Sequence, residues 1–87
     1  MDREVESLMR SLVNRLVAER AKNPDVYSDA RERLVTAQAA WVQVRDFDCG
    51  GRVRLTESVS NRVPVYVQCR RVHAEQRQKQ LQEWISQ

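Results

Sequence analysis

The sequence predicts an all-α fold, a small three-helix bundle or hairpin with a loop at about residues 50–63. Three observations carry this reading. Apolar residues recur at gaps of three and four in three successive stretches. Two glycines and two prolines among 87 residues are too few to punctuate the turns of a sandwich or barrel. Hydrophobic residues at 41% and charged residues at 31% describe a water-soluble chain with a thin core. A chain of this length hides roughly 60% of its unfolded surface and suffices for one domain, read here as residues 1–87.

The first helix, about 3–22, is marked by Val5, Leu8, Met9, Leu12, Val13, Leu16 and Val17, which form one stripe at helical spacing. Asp2, Glu4 and Glu6 near its start and Arg20 and Lys22 near its end match the helix dipole. Asn23-Pro24-Asp25 then breaks the pattern. Asn23 can cap, and Pro24 suits the first position of a second helix. That helix, about 24–49, carries a heptad-like seam of Ala30, Leu34, Ala37, Trp41, Val44 and Asp48. From Pro24 to Asp48 it is about 37 Å long, and Gly50-Gly51 is expected to end it.

Residues 50–63 show Ser, Thr, Gly and Asn without helical period, and read as a loop with a short extended piece at Val53 and Leu55. Asn61 can cap the third helix, about 62–86, with Pro64 in its first turn. The spacing places Val65, Cys69, Val72, Leu81, Trp84 and Ile85 inward, and leaves the middle (Gln76, Gln78, Lys79, Gln80) largely in solvent.

Several function classes find no support. No apolar run approaches the 18 or more residues of a membrane span. A Gly-rich phosphate loop, a GxSxG elbow and HExxH are all absent, and no nucleophile has a base at a meaningful spacing. No catalytic residue, metal ligand or cofactor is therefore assigned. One histidine and two cysteines cannot alone supply a four-ligand zinc site, and His73 has no carboxylate or cysteine pattern beside it in the sequence. Met1-Asp2-Arg3-Glu4 has no apolar segment of a signal peptide, which leaves a cytoplasmic chain or a trimmed one.

Charge is uneven. Residues 1–48 carry eight basic and nine acidic side chains, residues 49–87 seven basic and three acidic, and arginine outnumbers lysine 13 to 2. The basic half invites an anionic partner, but no block of five like charges occurs and no aromatic is interleaved with the arginines. Nucleic-acid binding through the Arg52–Lys79 region is thus the weakest of the readings. Cys49 and Cys69 would be free thiols in a reducing cytosol. In an oxidising compartment they could close a loop of about 21 residues, worth about 3 kcal/mol in the loop-entropy model.

The stretch Ala37-Gln38-Ala39-Ala40-Trp41-Val42-Gln43-Val44-Arg45-Asp46-Phe47-Asp48-Cys49 resembles the signature of the LprI-type lysozyme-inhibitor domain, a family of small helical, mostly secreted bacterial proteins. Its pattern is an Ala-Gln pair, a Trp, an Arg-Asp pair and a Cys closing the helix. Cys69, Arg77 and Leu81 continue that spacing on the last helix. The chain departs from the pattern in lacking an upstream Cys-containing segment, in having Arg52 after Gly50-Gly51, and in carrying Ala74 where the family has Thr.

The resemblance implies a non-enzymatic, secreted or periplasmic protein-binding module. It also implies that Cys49 is joined to Cys69, that no cofactor is used, and that the partner is a protein, a lysozyme in the first instance. Gln38, Trp41, Arg45, Asp46, Arg77 and Leu81 then serve mainly the scaffold, with Trp41 as a core anchor. Arg45 or Arg77 would stack on the Trp41 indole or pair with Asp46 or Asp48. Asp48, Arg52 and Arg54, around the first cysteine, are the expected partner-binding residues. The competing expectation is a self-associating helical protein, a homodimer, motivated by the apolar seam and the thin core.

Overall fold

The computed structural model describes residues 2–19 and 22–86. Three helices account for nearly all of them: α1 (Asp2–Glu19), α2 (Pro24–Leu55) and α3 (Val59–Ile85), with no strand among the described residues. Each helix packs on both others, in a rod with Cα extents of 55 × 17 × 16 Å. The all-α, three-helix reading holds, and Cys49 is bonded to Cys69 across α2 and α3, with Cα atoms 5.6 Å apart.

Local signals explain the first boundary. Asn23 caps α2 by accepting from the Val26 amide at 3.4 Å, and Pro24 occupies the start of the helix, where no amide hydrogen is needed. Asp2 and Glu4 lie in the first turn of α1, at the positive end of its dipole. Arg20, expected near the negative end, lies outside the described residues. Lys22 is already in a turn, its amide bonded to the Glu19 carbonyl. Arg15 of α1 donates to the Ile85 carbonyl at 2.9 Å, so a cation from one helix closes the C-terminus of another.

The second boundary corrects the sequence reading. The loop expected at 50–63 shrinks to three residues, 56–58, because α2 runs through Gly50-Gly51 to Leu55 and α3 begins at Val59. Neither glycine has a positive φ, and a Cβ added at either would meet nothing within 4 Å. Glycine tolerates the left-handed turn that ends a helix but does not compel it. The signal that does end α2 is Thr56, whose amide returns to the Val53 carbonyl and whose hydroxyl donates to the Arg52 carbonyl at 2.9 Å. Arg62 closes the turn from α3 by donating to the Thr56 carbonyl at 3.2 Å. Ser58, not Asn61, is the N-cap of α3, and Pro64 sits within the helix beyond its first turn.

The dry core is short. Val5 and Leu12 of α1, Leu34 of α2, and Ala74 and Leu81 of α3 are buried, with Leu8, Met9, Val13, Leu16, Trp41 and Trp84 packed on them half-buried. The expected seams drift. Ala37 and Val44 (59% exposed) face outward on α2, as do Val72 and Ile85 on α3. Gln38, Arg45 and Cys49 turn inward on α2, while Ala74 and Arg77 join Cys69 and Leu81 on α3. A straight helix drifts from a strict heptad by about 20° per repeat and returns to the same face after 11 residues. Leu34 to Arg45 and Gln38 to Cys49 follow that longer step.

The helices differ in length. At 1.5 Å per residue α1 spans about 27 Å and α2 about 48 Å. Asp2 at the start of α1 lies beside Arg45 and Arg70, and α1 runs from there toward Tyr27 and Ile85. Beyond Arg45 and Arg70 only α2 and α3 continue among the described residues, joined by the disulfide and by residues 56–58.

Candidate functional site

Three polar layers lie along the rod, the first of them within the core, between Ala74 and Leu81 of α3. The first is centred on Arg77, which is only 6% exposed. Its Nε donates to Gln38 Oε1 at 2.9 Å and its Nη1 to Gln80 Oε1 at 3.1 Å, while its buried Nη2 has no partner. No carboxylate pairs with it among the described residues. Burial alone pulls its pKa below the ordinary arginine value. Gln38 comes from α2 at the middle of the motif, so this bond ties α2 to α3 through two polar side chains.

The second layer is a clasp of all three helices. Arg45 stacks on the Trp41 ring with its guanidinium carbon 5.1 Å from the centroid. The same guanidinium bonds Asp46 at 2.9 Å and reaches Asp2 at 3.7 Å. Arg70 of α3 bonds Asp2 as well, and its Nη1 donates to the Tyr66 hydroxyl at 2.9 Å. The Tyr66 hydrogen bond raises the Arg70 pKa against its partial burial, with Asp2 adding to the rise. A single carboxylate at the start of α1 thus receives one cation from each of the other helices.

The third layer sits one turn further along α2 and faces Cys69 and His73 of α3. His73 Nε2 lies 2.6 Å from Asp48 Oδ2, Cys69 Sγ is 3.8 Å from the same oxygen, and Arg52 Nε is 3.3 Å from Oδ1. The His73 hydrogen bond, reinforced by Arg52, holds the Asp48 carboxyl below its ordinary range despite desolvation. His73 is therefore not isolated, as it is in the sequence. Its partners lie on a neighbouring helix, at separations of 20 residues or more that no local motif spells out.

Past this layer the hairpin exposes what a core would hide. Leu55 (85% exposed), Val59 and Val63 all face solvent, as does Arg54, which makes no hydrogen bond or ion pair among the described residues; Phe47 (80%) is exposed beside the layer itself. Beside them a shallow groove of about 500 Å³ opens between Arg52, Thr56, Pro64, Val65 and Val72. Of the expected partner-binding residues, Asp48 and Arg52 are engaged with His73 and each other, and Arg54 stands free at the tip. No described helix is long and apolar enough to cross a membrane.

Among the described residues the arrangement is one of braces between the helices and an exposed hairpin end. No curated protein and no solved structure matches the chain. The family model of the lysozyme inhibitor LprI matches residues 1–81, a span that includes the Arg77–Gln38 brace, the Asp2 clasp, both cysteines and the whole hairpin end. The chain belongs to the lysozyme inhibitor LprI family.

Proposed function

We propose that the chain is a non-catalytic, secreted or periplasmic module that binds a lysozyme and blocks it with the hairpin end. The observation that carries this reading is the family match over residues 1–81. The exposed apolar side chains Leu55, Val59 and Val63, near Arg54, support the choice of the hairpin end for that contact. Lysozyme chemistry depends on two carboxylates in a cleft. A narrow, two-helix end carrying a free guanidinium and apolar flanks suits such a cleft, since arginine pairs carboxylates with fixed geometry and apolar side chains exclude water around the pair. Steering at long range works against a net charge of +3 if the lysozyme is basic, so the fit rests on short-range contacts.

Turnover of a lysozyme on bacterial cell walls, with the protein in micromolar excess, tests this directly. Inhibition that is lost in Arg54→Glu and in Leu55→Asp, with helicity and thermal midpoint unchanged, is the expected result. Absence of inhibition by the unmodified protein discards the activity and leaves the fold untouched.

The same exposed side chains favour a second reading, in which they close against a second copy of the chain. Light scattering at rising concentration separates the two. A dimer that dissociates in Leu55→Asp supports self-association, and a strict monomer removes it.

A further inference from the structure

The layer around Asp48 holds more than an ion pair. One ligand atom from each of Asp48, Cys49, Cys69 and His73 lies within 4.8 Å of the other three. Cys69 and His73 are separated by one helical turn on α3, and Asp48 and Cys49 adjoin on α2, so two rigid helices each contribute two donors. Both sulfurs are buried, and the His73 and Asp48 side chains are largely covered, at 16% and 36% exposure. While the two sulfurs are bonded to each other neither is a thiolate, and the cluster amounts to a bridge beside a hydrogen-bonded pair.

We propose that reduction of the Cys49–Cys69 bridge converts this cluster into a four-ligand zinc site, so that the hairpin is held by either a disulfide or a metal ion. Two thiolates, one imidazole and one carboxylate form a donor set that zinc accepts in a tetrahedron. Thiolates about 2.3 Å from a tetrahedral ion lie about 3.8 Å apart. The 5.6 Å between the two Cα atoms accommodates that separation through side-chain rotation. The ion takes the place of the direct contact between His73 Nε2 and Asp48 Oδ2. Arg52 stays on the other carboxylate oxygen, where it orients the ligand and offsets the negative charge that the carboxylate adds once zinc has balanced the two thiolates.

The chemistry balances with an external reductant, a dithiol or a phosphine. Two electrons break the sulfur–sulfur bond and two protons cap the sulfurs. The dithiol closes to its own disulfide, or the phosphine leaves as its oxide with an oxygen from water. Zinc then displaces both thiol protons into solvent. Access to the buried sulfurs comes from opening of the two-helix end, where Leu55, Val59 and Val63 are exposed rather than packed.

The test uses cobalt(II) as a spectroscopic stand-in on the full chain. The protein is reduced with a phosphine, desalted without oxygen and titrated. The expected result is the visible absorption of tetrahedral cobalt, with thiolate charge-transfer bands, saturating at one equivalent and bleached by zinc; the oxidised protein gives none. His73→Gln and Asp48→Asn should each weaken cobalt binding by at least about tenfold, the smallest effect seen even for outer-shell partners.

No stoichiometric binding by the reduced chain, equal binding by the oxidised chain, or no change in both variants would each overturn the site. Circular dichroism decides the case in which reduction unfolds the protein. Helix content restored by one equivalent of zinc in the native sequence, and not in His73→Gln, supports the site; helix content that zinc does not restore overturns it.

Discussion

Arg77 reaches from α3 to Gln38 on α2 and donates its Nε hydrogen across 2.9 Å, in a buried position where no carboxylate meets it among the described residues. A charged group so placed depends on every neutral acceptor it has. Gln38→Ala should cost about 1–3 kcal/mol, the penalty for leaving a buried donor unmade. The pair Gln38→Leu with Arg77→Met should lose less than the sum of its single changes, because apolar replacements remove the desolvation cost together with the bond. Urea unfolding of the four proteins checks this. Strict additivity would mean that the two side chains do not act as a unit.

Gly50 and Gly51 stand within α2 at ordinary helical angles with open space around them. Alanine at either position should raise stability by about 0.5–1 kcal/mol, from propensity and from a less flexible unfolded chain. A drop in thermal midpoint for both variants would restore the expectation that the helix ends there.

The Cys49–Cys69 bond, with a separation of 20 residues, closes the hairpin. Replacing both cysteines by alanine should remove about 3 kcal/mol by the loop-entropy account. Amide exchange should accelerate most in residues 46–55 and 59–68, while the segments around Leu34 and Leu81 keep their relative protection. Uniform loss of protection would instead show that the rod unfolds as one unit.

Asp48 is a carboxylate whose acidity is strengthened in the folded state by His73 and Arg52. Its pKa when folded lies below the ordinary 3.8, so its contribution to stability is present at higher pH and disappears as pH falls through the lowered value. The difference in urea midpoint between the native protein and Asp48→Asn should therefore shrink once pH drops below 3.8. A difference that persists undiminished to about pH 2 would place the stabilisation elsewhere.

Helix class, the Asn23-Pro24 boundary and the cysteine bridge were legible because each is written in a few adjacent residues or in a motif. The far boundary was not, since Gly50-Gly51 reads as a stop only if the helix takes it as one. The inner faces of α2 and α3 were obscured for another reason. Polar Gln38, Arg45, His73 and Arg77 point toward neighbouring helices, while Val44 and Val72 point away, so an apolar period traces the wrong line. The cluster around His73 was hidden because Asp48 joins it from another helix. The signal that could have exposed it is the i, i+4 pair Cys69 and His73, set against Asp48-Cys49 once the two cysteines are joined.

Beyond the buried Cys49–Cys69 bridge, the large apolar side chains Leu55, Val59 and Val63 are all exposed, outside the core that Val5, Leu12, Leu34, Ala74 and Leu81 form. Side chains there cannot be chosen for fit to an interior, and changing them risks little of the architecture above. On the proposed reading, the contact with a partner can therefore be altered at those three positions while the buried core stays as it is.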